Sequence, residues 1–402
     1  MKFVHTSDLH IGKRLFELSM LEEQKAALEQ IYSIAVEEAV QAVVIAGDVY
    51  DRAVPPAEAV ILLDDFLTRL AEARIPVIMI SGNHDCGERV AFADRILEKQ
   101  GLYIAGTYDG RVKDVTIPDE WGMVHFICLP FVKTSVVGAD NSEEAVEKML
   151  SDVPMLSNTP TYVNDSMHLN APMQHNVWHI GGALHRYVLV THYFVTGEQG
   201  EKPEVSDSET TVNIGGLDNV SASLFENFSY VALGHIHKPQ KIGQGNVYYS
   251  GSPVKYSFSE AMQEKGVNLV ELDEKGEVTV KRRLLRPVHD MRCIKGQLAE
   301  LMKVYTESER EDYLQVTLTD KEELIDPMGT LRSVYPNVLQ IIMEKNICSD
   351  TQEYESRLSG ERKSTVQLFA DFYEMLKGET LDEIRRAYVE DAVKEAESSC
   401  DR

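Results

Sequence analysis

Short apolar runs alternate with stretches of helical spacing through the N-terminal part of the chain. Lys2 to Thr6, Ala42 to Ala46 and Pro76 to Ile80 have the length and the valine and isoleucine content of buried strands. Between them, Ser19 to Val40 places Leu28, Ile31 and Ala35 on one helical face, and Pro56 to Ala73 does the same with Val60, Leu63, Leu67 and Leu70. The pattern predicts β-α-β-α-β, with crossovers long enough for parallel strands. Further strands are predicted at Met123 to Leu129, Tyr187 to Thr191, Tyr230 to Leu233, Asn246 to Ser250, Gly266 to Leu272 and Val278 to Leu285. The later ones follow one another closely, which predicts antiparallel pairing. Residues 133–186 carry Pro154, Pro160 and Pro172 and show no period that places them.

From Met291 the pattern changes to a compact β-α-β-α-β unit: Met291 to Lys295, Leu298 to Tyr305, Tyr313 to Leu318, Met328 to Val334 and Val338 to Met343. A polar stretch follows, and then two amphipathic segments. Ser364-x-x-Gln367 and Thr380-x-x-Glu383 read as capping boxes for two helices, with Gly378 where the first must stop. The organisation expected is a main domain over 1–285, a small α/β domain over 286–345, a linker over 346–363 and a helical pair over 364–402.

Composition narrows the class without choosing the chemistry. The chain has 402 residues, of which 43% are hydrophobic and 26% charged, so it is neither disordered nor low in complexity. No apolar run approaches the length of a membrane span, and Asp8 and His10 interrupt the start before a secretory segment can form; a cytoplasmic protein is expected. The 5 cysteines are scattered, with no Cys-x-x-Cys pair. Net charge is −25, the opposite of a free-standing nucleic-acid binder. Such acidity suits an enzyme whose carboxylates hold cations, or a subunit that borrows positive charge from a partner.

The chemistry lies where the strands end. Five apolar runs each lead directly into metal-competent residues: Asp8-Leu9-His10, Gly47-Asp48, Gly82-Asn83-His84-Asp85, Thr191-His192 and Gly234-His235-Ile236-His237. Loops at the carboxyl ends of strands are where α/β sheets build their sites, so these endings can converge. Imidazole and carboxylate donors without thiolate suit Mn²⁺, Fe²⁺ or Zn²⁺ with open positions for water. The donors exceed what one tetrahedral ion takes and fit two ions sharing a bridging carboxylate, a device for phosphate ester hydrolysis. His168, His175, His179 and His185 lie in the irregular stretch, and no Glu follows His175 as a zinc protease helix would need. Cys86, His5 and His125 read as packing residues. No Gly-x-x-x-x-Gly-Lys-Ser/Thr loop is present, so ATP dependence would have to come from another chain.

The blocks His5-Thr6-Ser7-Asp8-Leu9-His10-Ile11-Gly12, Ala46-Gly47-Asp48-Val49-Tyr50-Asp51, Ser81-Gly82-Asn83-His84-Asp85 and Leu233-Gly234-His235-Ile236-His237-Lys238-Pro239 resemble the calcineurin-like metallophosphoesterase superfamily. Their wording is closer to one branch, the DNA nuclease subunits of bacterial complexes that work with a coiled-coil ATPase. The resemblance implies an α/β fold: a metallophosphoesterase sandwich of two mixed β-sheets flanked by helices, then a small α/β cap and C-terminal helices. It implies two divalent ions, Mn²⁺ in particular. One would be held by Asp8, His10, Asp48 and His237, the other by Asp48, Asn83, His192 and His235, with Asp48 as the bridge. His84 would act on the scissile phosphate or leaving oxygen from outside the coordination shell, with Asp85 orienting its imidazole. Archaeal and eukaryotic members carry a histidine where this chain has Asp51, so no catalytic histidine is assigned there.

The activity so implied is 3'-5' exonuclease action on duplex DNA and endonuclease action on single strands and hairpins, in repair, recombination and replication. The implied assembly is a homodimer within a heterotetramer that includes the ATPase, away from membranes. A basic stretch of Lys281, Arg282, Arg283, Arg286, Arg292 and Lys295, opposed only by Asp290, is a candidate for phosphate contacts, chiefly through Lys281, Arg282, Arg283 and Arg286. On the closing helices, Phe369, Phe372, Tyr373, Leu376, Ile384 and Tyr388 form an apolar face broad enough to dock a partner helix. Two alternatives stand beside this reading: a same-fold phosphatase or phosphodiesterase acting on small molecules, and a scaffold without catalysis.

Overall fold

The computed structural model describes residues 1–151, 153, 177–180, 183–198, 200–209, 218–303, 306, 309–322, 324–344, 366–367, 369–370, 373, 380 and 382–400. The chain falls into two compact units, Met1–Arg292 and Cys293–Arg402. His168, His175, Phe372, Leu376 and the expected linker over 346–363 lie outside the described residues.

The first unit is built on two mixed sheets. One has the strand order Val278–Leu284, Gly266–Leu272, Lys2–Thr6, Ala42–Ala46, Val77–Ile80, Leu102–Ala105. Its last four strands run parallel to one another, and Gly266–Leu272 closes antiparallel on Lys2–Thr6. The other has the order Gln240–Ile242, Val247–Tyr249, Tyr230–Leu233, Ala183–Thr191, Gly122–Leu129, Lys113–Asp119, with Val177–Ile180 paired to Ala183–Thr191. Alternate side chains of both sheets face inward, as strand geometry requires. Phe3, Val44, Ala46, Ile78 and Ile80 meet Val124, Phe126, Val188, Val190, Tyr230 and Ala232 in a single layer. Phe3 packs edge-on against Phe126 and Tyr230, with ring centroids 5.4 and 5.7 Å away.

Helices cover the outer faces. Leu21–Glu37 and Ala57–Glu72 pack on each other beside the first sheet, burying Ile31, Leu63, Phe66 and Leu70. On the second sheet, Ile127, Leu129, Leu189 and Leu233 lie under helix Ser142–Leu150. That helix falls in the stretch where the sequence showed no placeable pattern. It is specified locally: the Asn141 side chain accepts from the Glu144 amide at 2.9 Å, and Ala145, Val146, Met149 and Leu150 form its inner face.

The closely spaced later strands do not form one antiparallel sheet. Tyr230–Leu233 pairs parallel with Val247–Tyr249, because the short strand Gln240–Ile242 intervenes and takes the antiparallel place. Gly266–Leu272 then leaves for the other sheet, where Val278–Leu284 pairs with it antiparallel. The second unit begins within the strand Met291–Gly296, which forms a three-stranded sheet with Tyr313–Leu318 and Val338–Met343, Tyr313–Leu318 being in the middle. Leu314, Val316, Leu318, Leu331, Tyr335 and Val338 form its core, and Asp326 caps helix Pro327–Arg332. The helix expected over Leu298 to Tyr305 is described only as Leu298–Leu301. Glu383–Cys400 is the second of the two closing helices.

Candidate metal centre

Strands Lys2–Thr6, Ala42–Ala46, Val77–Ile80, Ala183–Thr191 and Tyr230–Leu233 all end at one edge of the sandwich, and the residues beyond them meet there. The turns that bring them together are strained. Asp8, His10, Asp48 and His235 have φ of 54°, 43°, 48° and 100°, in the left-handed region that side chains avoid. Each such residue costs on the order of 1–3 kcal/mol and persists only where the surroundings demand it. Glycines make the close approaches possible. A Cβ at Gly82 would lie 2.1 Å from Asp48 Oδ1, and one at Gly234 would lie 2.0 Å from the Ala46 carbonyl and 2.6 Å from His192 Nδ1.

The donor atoms fall into overlapping groups. Asp8, His10 and His237 offer atoms within 4.8 Å of one another, as do Asp8, Asp48 and His192. A third group joins His84 to His10 and Asp48. His10 Nε2 is 3.1 Å from His237 Nε2, and Asp48 Oδ2 is 3.3 Å from His192 Nε2 and 3.7 Å from His10 Nε2. Asn83 Oδ1 lies 3.1 Å from His192 Nε2 and 3.0 Å from His235 Nδ1. All seven residues implied as ligands thus stand together, with Asp48 next to both histidine groups.

The orientation of each donor is fixed from behind. His192 Nδ1 donates to the Ala46 carbonyl at 2.8 Å, which turns Nε2 into the cluster. Asp8 accepts from the Ser7 hydroxyl at 2.5 Å and the His235 amide at 3.0 Å, and Ser7 leans on Ser250 at 2.7 Å. His237 Nδ1 sits 2.8 Å from Ser208 Oγ and 3.3 Å from Glu260 Oε1. Burial holds His10 well below the ordinary imidazole range and raises Asp8. Burial would also raise Asp48, but His192 offsets this by charge and hydrogen bond and holds it low. Against the burial that would lower it, Asp48 lifts His192 to about 9.

The residues present fit divalent metal ions. Two acids, 0% and 2% exposed, are faced by imidazole, amide and hydroxyl groups and not by lysine or arginine among the described residues. His10 Nδ1 is buried without a hydrogen-bond partner among the described residues, and the facing nitrogens of His10 and His237 offer lone pairs to one point. Divalent ions there would polarise a phosphate and activate water. His84 stands at the rim: its amide donates to Asp48 Oδ1 at 2.9 Å, and its Nδ1 donates to the Asp51 carbonyl at 3.0 Å, while its Nε2 makes no hydrogen bond among the described residues.

Asp85 does not orient that imidazole. Its carboxylate accepts from the amides of Val49, Tyr50 and Gly82 at 3.0, 2.9 and 2.9 Å, tying the Asp48 loop to the Asn83 loop, and Asp51 takes the part expected of it. Burial, with the Asp48 charge nearby, pushes Asp85 up to about 6. The basic stretch also departs from expectation. Arg282 points inward, with Nη1 donating to the Ser250 carbonyl and, at 2.9 Å, to Asn268 Oδ1. Arg283 is paired to Glu38 and Lys281 to Glu271, so of the four only Arg286 is exposed without an ion pair among the described residues. Lys13, 2.9 Å from Asp51, and Arg52, 73% exposed, also stand beside the cluster. No motif around them marks them in the sequence.

Of the tail residues, Phe369 and Tyr388 are exposed, and Tyr373 receives a hydrogen bond from Arg385, whose guanidinium lies 5.6 Å from its ring. The side chain of Ile384 lies outside the described residues.

Comparison with known proteins places this site in a family. Residues 1–239 match the family model described as calcineurin-like phosphoesterase. The chain belongs to the calcineurin-like phosphoesterase family. Within this phosphoesterase, residues 287–376 match a second model, described as type 5 capsule protein repressor C-terminal domain. The chain is 29% identical over 387 residues to the D subunit of nuclease SbcCD from Staphylococcus epidermidis, covering 96% of each protein. A solved structure, TT1561 of Thermus thermophilus, covers 71% of this chain with 99% of its own, at a TM-score of 0.37 and 15% identity. No described helix of the phosphoesterase is long and apolar enough to cross a membrane.

Proposed function

We propose that this phosphoesterase is a DNA nuclease subunit that cleaves phosphodiester bonds with two Mn²⁺ ions and works with an SbcC-type coiled-coil ATPase. One observation carries the reading: an end-to-end similarity to the D subunit of nuclease SbcCD in a chain whose metal-competent residues meet at one edge of the sandwich. In this reading Asp8, His10, Asp48 and His237 hold one ion, Asp48, Asn83, His192 and His235 the other, and His84 serves the phosphate. Oxygen and imidazole donors support Mn²⁺ over thiolate-preferring metals. The substrates are duplex ends, digested 3'-5', and single strands and hairpins, and the setting is cytoplasmic DNA repair, recombination and replication.

Exposed apolar residues support a second copy of the chain as a further partner. Val60 and Ile61 on helix Ala57–Glu72, Phe92 in the turn that follows the short helix Gly87–Val90, and Ile96 on the short helix Asp94–Leu97 are 44–80% exposed. Such a dimer would stand within a heterotetramer with the ATPase.

Purified protein incubated with a hairpin DNA and with a chromogenic phosphomonoester, with and without Mn²⁺, tests the reading. Mn²⁺-dependent cleavage of the hairpin is expected, with the monoester turned over more slowly. Faster monoester hydrolysis would favour the small-molecule phosphatase, and no turnover of either would favour the scaffold.

A further inference from the structure

The segment from Ser257 to Lys265 buries charge where a hydrophobic contact would stabilise as well. Glu260 is 0% exposed and Lys265 6%, and the two pair at 2.6 Å. A buried ion pair is poor at stabilising a fold, because desolvation consumes most of the attraction. Its value here is positional, since every group in it converges on His237. Ser208 donates its hydroxyl proton to Glu260 Oε1, so its lone pair receives the His237 Nδ1 proton at 2.8 Å, and Glu260 Oε1 itself lies 3.3 Å from Nδ1. Glu209 accepts from the His237 amide, and Lys265 Nζ donates to the His237 carbonyl and to Ser252 Oγ, each at 3.0 Å. The residue is gripped at its amide, its ring and its carbonyl.

We propose that Glu260 is a positioning residue for His237. Through Ser208 it keeps the proton on Nδ1 and leaves Nε2 bare, aimed at His10 and Asp8, while Lys265 locks the carboxylate in place. A carboxylate behind a metal-bound imidazole fixes its tautomer and raises its basicity, and losing it weakens metal binding about 10–100-fold. Glu260 therefore tunes one of the two metal positions and leaves the other alone. The proposal rests on the reading of His237 as a metal ligand.

Mn²⁺ binding isotherms on the full chain, stripped with chelator, test it together with the thermal midpoint of the metal-free protein. Glu260→Gln alone strands the Lys265 charge, so the informative variant is Glu260→Gln with Lys265→Met. Its metal-free midpoint should stay near wild type while one Mn²⁺ step weakens about 10–100-fold and the other holds. Wild-type affinity at both steps would overturn the proposal, because a purely structural pair is satisfied when both charges leave. Ser208→Ala, which touches neither charge, keeps the test open if the double variant does not fold. It should weaken the same step, and an unchanged isotherm counts against the relay. His237→Ala separates the two failures: it should lose that ion outright, and retention of both ions at wild-type affinity would remove the ligand reading and the proposal with it.

Discussion

Asp48 and His84 sit side by side, joined by the His84 amide at 2.9 Å, yet their side chains do different work. The Asp48 carboxylate faces both histidine groups, whereas the His84 ring stands at the rim, held by Nδ1, with no hydrogen bond at Nε2 among the described residues. His84→Ala should therefore lower hairpin cleavage by about 10²–10⁴-fold with both ions retained, and Asp48→Ala should lose metal. Metal analysis of the purified variants decides; equal metal loss in both would refute the role given to His84. Gly82 admits no side chain beside Asp48, since a Cβ would come within 2.1 Å of Oδ1. Gly82→Ala should displace that carboxylate, weaken Mn²⁺ binding and destabilise the protein by about 1–3 kcal/mol, read from Mn²⁺ titration and a urea midpoint. These residues were readable in the sequence because each follows an apolar strand directly. Asp85 was readable by the same rule but its role was not, and Glu260 was not readable at all: which amides and which imidazole nitrogen a buried carboxylate meets depends on how separate loops stack.

Strands whose pattern is continuous and apolar, such as Ala42–Ala46 and Tyr230–Leu233, stand where periodicity put them. The edge strand Val278–Leu284 shows what periodicity misses. Its charged run reads as a surface for phosphate contacts, but successive side chains point to opposite sides, so Arg282 turns into the sandwich while Arg283 turns out to Glu38. Likewise Lys113–Asp119 and Gln240–Ile242 carry too little apolar sequence to announce themselves, and become strands by pairing with stronger neighbours. For the basic stretch, Arg282→Ala should leave the Ser250 carbonyl without its donor and cost about 1–3 kcal/mol of stability. Arg283→Ala breaks a half-exposed pair and should cost about 0–1 kcal/mol. Neither should change the slope of DNA affinity against salt. A slope that falls by about one unit in Arg283→Ala would restore that residue to phosphate contact.

At the scale of the molecule, acid sensitivity has a source in the sandwich core, in a residue outside the implied metal ligands. His5 is 0% exposed in the sandwich core, with Nδ1 2.9 Å from Tyr230 Oη and Nε2 3.2 Å from the Leu233 carbonyl. Burial lowers it from 6.5 to about 3, so the folded protein leaves it neutral while the unfolded chain protonates it below 6.5. Its contribution is full above pH 6.5 and is lost as pH falls toward 3, by up to about 1.4 kcal/mol per pH unit. His5→Asn should shrink the difference between urea midpoints at about pH 7 and about pH 4.5, either side of the ordinary imidazole range; an unchanged difference would place the acid-labile group elsewhere. The tail raises the other whole-molecule question. A family-type phosphoesterase unit is complete by Arg292 with every implied ligand inside it, so chemistry does not require the closing helices. Phe369 and Tyr388 nonetheless spend 42% and 78% of their surface on solvent, on helices that bury little else among the described residues. Aromatic residues left exposed on helices that the chemistry does not require suit a helix-in-groove contact with a partner coiled coil. Ending the chain near Asp350 should leave a folded protein with Mn²⁺-dependent single-strand cleavage, and remove both co-purification with the ATPase and ATP-stimulated duplex digestion. A shortened chain that still co-purifies at undiminished affinity would move the interface off the tail.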